Sequence, residues 1–169
     1  MFVAIGHAAS GKSLFAERIV AAWAAEAAVR PTYLATARLL DDGMRRKARD
    51  HALRRGTDWD LVEAPDDLHT PAASVRGPAL VDCATMWLTN AVLDGRDWEA
   101  GLAAWIDAMA ANAHARFGVV TNDVGGGVTP DNALARRFQR AQGAVNQRLA
   151  AAAGRVALVT AGLPLWLKG

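Results

Sequence analysis

The 169-residue chain has a single cysteine, Cys83, and a single tyrosine, Tyr33. One thiol excludes an internal disulfide framework and fits a reducing cytoplasm as the expected compartment. Long hydrophobic runs are also missing. No apolar stretch approaches the ~20 residues of a membrane span, so stable membrane insertion is not expected. The first residues carry no basic region and their apolar run breaks at Gly6, which argues against a secretory signal. Charge of one sign is scarce: 19 Lys and Arg against 17 Asp and Glu leave a net charge of +2. The arginines are scattered rather than gathered into a stripe. A sequence pI of about 9.1 therefore does not point to nucleic acid, and none is expected as a partner. Repeats, low-complexity segments and linkers are absent, so residues 1–169 are expected to form one domain. His7, His69 and His114 have no cysteine or carboxylate partners at metal-ligand spacing, which excludes a zinc centre as the expected site.

The sequence is rich instead in alanine, which favours helices, and holds six tryptophans that are expected to pack. Apolar runs alternate with helical patterns along its whole length, the signature of an α/β domain with a largely parallel sheet. Strands are expected at 2–5, 32–36, 60–63, 79–82, 118–121 and 156–160, with an edge strand over 164–167. Helices are expected over 13–29, 40–55, 85–93, 98–116 and from Pro130 to about Ala153. The proline-rich segment 64–78 is expected to be loop with a single helical turn.

Gly6-His7-Ala8-Ala9-Ser10-Gly11-Lys12-Ser13 fits the phosphate-binding pattern G-x-x-x-x-G-K-[ST]. It lies between the strand Phe2-Val3-Ala4-Ile5 and a helix whose apolar residues recur three and four apart. Such a loop curls its N–H groups around phosphate oxygens, and the helix N-terminus adds partial positive charge. Lys12 is placed to reach the outer phosphates, and Ser13 to ligate magnesium. The residues alone therefore predict a nucleoside triphosphate as ligand and Mg2+ as cofactor.

Asp82 ends a strongly apolar strand, where such folds place a second magnesium-handling carboxylate. Tyr33 to Ala37 end another strand at the same sheet edge, and the small residues Ala35, Thr36 and Ala37 would let a nucleotide approach the backbone. Glu63 ends a third strand before Pro65 and could accept from ribose or base, or be a solvated turn acid. His51 follows Met44, Lys47 and Ala48 along one helical stripe that continues to Ala52 and Arg55. Neutral imidazole is a competent nucleophile at phosphorus. On composition alone, a solvated surface histidine is the alternative. Thr121-Asn122-Asp123-Val124-Gly125 leads polar residues out of a central strand into a glycine loop.

Taken in order, these segments resemble the bifunctional adenosylcobinamide kinase/adenosylcobinamide-phosphate guanylyltransferase family of cobalamin synthesis, over nearly the whole chain. The likeness rests on Ser10-Gly11-Lys12-Ser13, Tyr33 to Ala37, Asp41 to Met44, His51, Trp59 and Glu63. It continues through Asp82 to Asn90, Thr121 to Gly125, Val145 to Ala150 and Ala161 to Leu165. The resemblance implies a RecA-like P-loop NTPase fold and a homotrimer. It implies transfer of the terminal phosphate of ATP or GTP to adenosylcobinamide. It further implies guanylylation of the enzyme by GTP and passage of the GMP group to adenosylcobinamide phosphate. His51 matches the family's guanylylated histidine. Nucleotide contacts carry over to Gly6–Ser13, Ala35, Thr36, Ala37, Ala52, Leu53, Arg54, Arg55, Glu63 and Asp82. The chain departs from the family pattern at His7, Ala9, Gly43, Lys47, Asp123, Gln139, Arg140 and Ala144, which leaves guanylyl transfer better supported than the kinase step. The competing expectations are a small-molecule kinase in which His51 has no covalent role, and a nucleotide-binding regulatory module.

Overall fold

The computed structural model describes all 169 residues, apart from the side chains of Lys47 and Arg54. Its frame is a seven-stranded sheet. The strands are β1 (Phe2–Gly6), β2 (Thr32–Ala35), β3 (Asp60–Glu63), β4 (Gly77–Asp82), β5 (Ala115–Asn122), β6 (Arg155–Thr160) and β7 (Leu163–Lys168). Their spatial order is β3-β2-β4-β5-β1-β6-β7. All pairings are parallel except that of β6 with β7. Central strands buried on both faces account for the continuous apolar runs: Val3, Ala4, Leu80, Val81, Val119 and Val120 are inaccessible to solvent.

Helices α1 (Lys12–Ala27), α2 (Asp42–Arg55), α3 (His69–Ser74), α4 (Ala84–Leu93), α5 (Trp98–Ala111) and α6 (Ala133–Ala152) connect the strands. Apolar packing divides into two clusters. Phe2, Ala4, Ala16, Val20, Tyr33 and Leu80 form one, with Phe15, Ile19, Trp23 and Trp59 against it. Leu68, Trp87, Leu102, Trp105, Val145 and Leu149 belong to the other, which draws on α3 to α6. Gly118 lets α1 approach β5: a Cβ there would lie 2.8 Å from Val20 Cγ2.

The expected α/β architecture with a mostly parallel sheet is present, and several boundaries differ. The helix expected over 98–116 ends at Ala111. The Asn112 amide donates to the carbonyls of Ala72 and Val75, 2.8 and 2.9 Å away, which turns the chain into an eight-residue β5. Pro130 precedes the last helix rather than opening it; Asn132 is the cap, its side chain accepting from Ala135 N at 2.7 Å. The 64–78 segment holds a six-residue helix, α3, and its last two residues already belong to β4.

Candidate functional site

The carboxyl ends of the parallel strands meet the phosphate loop, as expected where ligands bind in open α/β sheets. Gly11 caps α1 in the left-handed region, at φ 89°, where glycine carries no Cβ penalty. A Cβ there would also lie 2.9 Å from Gly162 Cα. Gly162 and Ala161 have φ values of 78° and 52°. They form the tight β6–β7 turn, and Gly162 N donates to Ser10 O at 2.8 Å. The phosphate loop is therefore braced by a hairpin from the far end of the chain, a contact that local sequence patterns do not reveal.

Lys12 is buried and its ammonium donates to His7 O across the loop at 2.9 Å. The exposed His7 ring sits against Asp123, with Nδ1 3.0 Å from its carbonyl oxygen. Asp123 N in turn donates to Gly6 O at 3.0 Å. Behind it, Gln142 Nε2 donates to Thr121 Oγ1 and Asn146 Oδ1, and Asn146 Nδ2 to Asn122 O. The Thr121–Gly125 segment is thereby tied to α6 and to the phosphate loop.

Asp82 stands at the centre of the site. Its Oδ1 is 3.4 Å from Ser13 Oγ, and its Oδ2 accepts from Tyr33 OH at 2.5 Å. His51 Nδ1 is 3.5 Å from the same Oδ2, with side-chain exposures of 21 % for His51 and 9 % for Asp82. Burial pushes the Asp82 carboxyl up. Hydrogen bonds from His51 and Tyr33, with the charge of Lys12, more than offset this and hold it below the ordinary carboxylate range. The Tyr33 hydroxyl is pushed well up, by burial first and then by Asp82. Arg55 lies 3.5 Å above the centre of the Tyr33 ring.

On α2, the half-buried residues Met44, Ala48, His51 and Arg55 form the inward stripe expected from their spacing. Ala52 and Leu53 turn to solvent, Leu53 being 81 % exposed. The Arg54 side chain, expected beside a nucleotide, and that of Lys47 lie outside the described residues. Ala35 pairs with Asp82 on one side and with Glu63 on the other, so Glu63 lies two strands from Asp82 on an exposed edge strand. Thr36 is fully buried. Its hydroxyl donates to Cys83 O at 2.7 Å and accepts from Cys83 N at 2.8 Å, tying β2 to β4. Ala37, Ala8 and Ala9 remain at the surface of the edge.

Sequence reasoning missed Glu17. It lies four residues after Ser13 on α1, within the buried face that also holds Lys12, Ala16, Val20 and Ala24. Ligand atoms of Glu17, His51 and Asp82 all lie within 4.8 Å of one another. The available signal was an acid at core spacing in an alanine-rich helix, where desolvating an ionised carboxylate costs several kcal/mol unless a partner compensates. A cleft of about 800 Å³, within the size range of small-molecule sites, begins beside Glu17 and continues to Arg55 and Trp59.

A glycine loop ending in Lys-Ser, set between a central parallel strand and its helix and faced by a strand-end aspartate, defines a P-loop α/β protein. The fold is shared with the flagellar accessory protein FlaH from Methanocaldococcus jannaschii, whose crystal structure superposes with a TM-score of 0.54 at 13 % identity, covering 99 % of this chain and 77 % of that one. The family model for cobinamide kinase / cobinamide phosphate guanyltransferase matches residues 2–167. The bifunctional adenosylcobalamin biosynthesis protein CobP of Pseudomonas aeruginosa is 37 % identical over 173 residues, covering 98 % of this chain and 95 % of the relative. The bifunctional adenosylcobalamin biosynthesis protein CobU of Salmonella typhimurium is 34 % identical over 185 residues, covering 99 % of each, and CobU of Escherichia coli matches to the same extent. The chain belongs to the cobinamide kinase / cobinamide phosphate guanyltransferase family.

Proposed function

We propose that one phosphate-loop site carries out both reactions of the family, with His51 as the covalent carrier of GMP. The observation that carries the reading is the shared carboxylate: Asp82 faces Ser13 of the phosphate loop with one oxygen and His51 with the other.

In the kinase reaction, the terminal phosphate of ATP or GTP passes to the side-chain hydroxyl of adenosylcobinamide. Loop N–H groups and the α1 N-terminus hold the phosphates, and Lys12 exchanges the His7 carbonyl for phosphate oxygens. The hydroxyl of Ser13 and the carboxylate of Asp82 are hard oxygen donors of the kind that Mg2+ prefers, 3.4 Å apart beside the loop. They fit the ion. When bound there, Mg2+ would neutralise charge on the phosphate oxygens.

In the guanylyl reaction, Nδ1–H of His51 donates a hydrogen bond to Asp82, which fixes the tautomer and leaves the Nε2 lone pair free. Nε2 attacks the α-phosphorus of GTP as the bond to pyrophosphate breaks, and pyrophosphate leaves with that electron pair. A phosphate oxygen of adenosylcobinamide phosphate then attacks the same phosphorus, and the N–P electron pair returns to Nε2. Lys12 supports the charge that develops on the departing pyrophosphate.

Residues 1–169 act as one nucleotide-binding unit, a reading supported by two apolar clusters on the strands of one sheet. A homotrimer is supported by the exposed apolar residues Leu163, Leu165 and Leu167 on edge strand β7. A cytoplasmic location is supported by the one buried free thiol. No helix among the described residues is long and apolar enough to cross a membrane.

Incubation with GTP labelled at the α-phosphate tests the covalent step. The expected result is an acid-labile, base-stable label on the wild-type protein that is lost in His51→Ala. A labelled His51→Ala protein, or no label on a protein that binds GTP, contradicts the reading.

A further inference from the structure

Building on the reading that His51 carries GMP, we propose that Glu17 is a positioning residue for guanylyl transfer. Its buried carboxylate stands with Asp82 around His51 and stabilises the charge that the imidazole gains as the nitrogen–phosphorus bond forms.

Glu17 lies one turn after Ser13 in α1. Ser13 lies in the first turn of the helix, and the residue one turn later shares its face. That face is buried, and Glu17 is only 6 % exposed between Ala16 and Val20. Here its oxygen comes within 4.8 Å of both His51 and Asp82. A single imidazole thus has two carboxylates beside it, one from α1 and one from β4.

The charge balance of the reaction gives this arrangement a use. Neutral imidazole attacks through Nε2 and keeps its proton on Nδ1. The Nε2–Pα bond forms, the bond from Pα to the pyrophosphate oxygen breaks, and the ring is left with one positive charge. Asp82 shares its carboxylate with Tyr33, Ser13 and His51. Glu17 supplies a second negative charge that is already in place, so little reorganisation is needed as the ring becomes cationic. α1 also carries Lys12 and Ser13, so this carboxylate and the phosphate-loop side chains stand on one helix facing His51 of α2.

The test compares Glu17→Gln, Glu17→Met and Glu17→Asp with the wild-type protein. Each is followed by the single-turnover rate of labelling from α-labelled GTP and by GTP affinity. Gln keeps the shape and removes the charge; Met removes the polar atoms as well. Either neutral variant, if folded, should label on the order of 10- to 100-fold more slowly. GTP affinity should change by less than about threefold, which is below 1 kcal/mol. Glu17→Asp should label faster than both. Equal labelling rates in wild type and a folded neutral variant overturn the role of Glu17. Parallel loss of GTP affinity and rate shows a structural position and also overturns it. Absence of label on wild-type protein overturns instead the covalent reading on which this inference rests.

Discussion

Asp82 has two oxygens with different neighbours, and that division is the smallest unit of the site. Ser13 lies by one, Tyr33 and His51 by the other. Because its folded-state pKa is depressed by His51 and Tyr33 against the effect of burial, the folded protein binds this proton less readily than the unfolded chain. The resulting stability is fully present above the ordinary carboxylate value of ~4 and is lost as pH falls through the lower folded value. Asp82→Asn is therefore expected to lower stability by about 1–3 kcal/mol near neutrality. In thermal unfolding its deficit should shrink below about pH 4. A deficit that stays constant down to about pH 3 would contradict the assignment. Next to it, burial and then Asp82 push the Cys83 thiol up to about 11. At about pH 8 the native protein should react with a thiol reagent roughly 100-fold more slowly than the unfolded chain; equal rates would show that Cys83 is accessible. His51 was legible as a site residue because family-like segments flank it. Its proximity to Asp82 was not, since 31 positions of chain separate the two and only the fold brings His51 to the carboxyl end of β4.

At the scale of elements, strand, loop and helix around Gly6–Ser13 were legible because periodicity changes abruptly at the glycines. The brace from the β6–β7 turn was not, because a positive φ at Ala161 leaves no mark in its residue type. Gly11→Ala tests that brace. Its methyl would meet Gly162 Cα at 2.9 Å in a backbone region that alanine disfavours. The expected result is at least roughly tenfold weaker nucleotide binding, or about 1.4 kcal/mol, with the sheet still folded by circular dichroism. Unchanged affinity would show that the hairpin does not hold the loop. The over-long α5 in the sequence reading has a similar origin. Alanine favours helix through residue 113, and only the tertiary hydrogen bonds of Asn112 stop it. Glu17 was missed because an acid in a helix usually faces water, and the core face of α1 is fixed only by its packing on β5 and β4.

At the scale of the molecule, helices on both faces cover the central strands and leave the sheet edges open. Leu61 on β3 is 58 % exposed, and on β7 Leu163, Leu165 and Leu167 are 73 %, 62 % and 58 % exposed. Edge strands with apolar residues favour association. If the proposed trimer forms, sedimentation is expected to give three times the 17.9 kDa chain mass; a monomer at micromolar concentration would contradict that proposal. Within the core, Leu149 of α6 is fully buried, and Leu149→Ala should cost about 2–5 kcal/mol in denaturant unfolding. The mostly parallel architecture was legible in the alternation of apolar runs and helical stripes, whereas the antiparallel pairing of β7 depended on the tight turn before it. What the whole molecule accomplishes is to bring a helix-borne imidazole to the edge where the phosphate loop ends. Intact-mass measurement after exposure to GTP, followed by peptide mapping, tests this most directly. The account predicts one added GMP per chain, located on His51. Full occupancy by GTP with no covalent adduct, or an adduct on another residue, would contradict it.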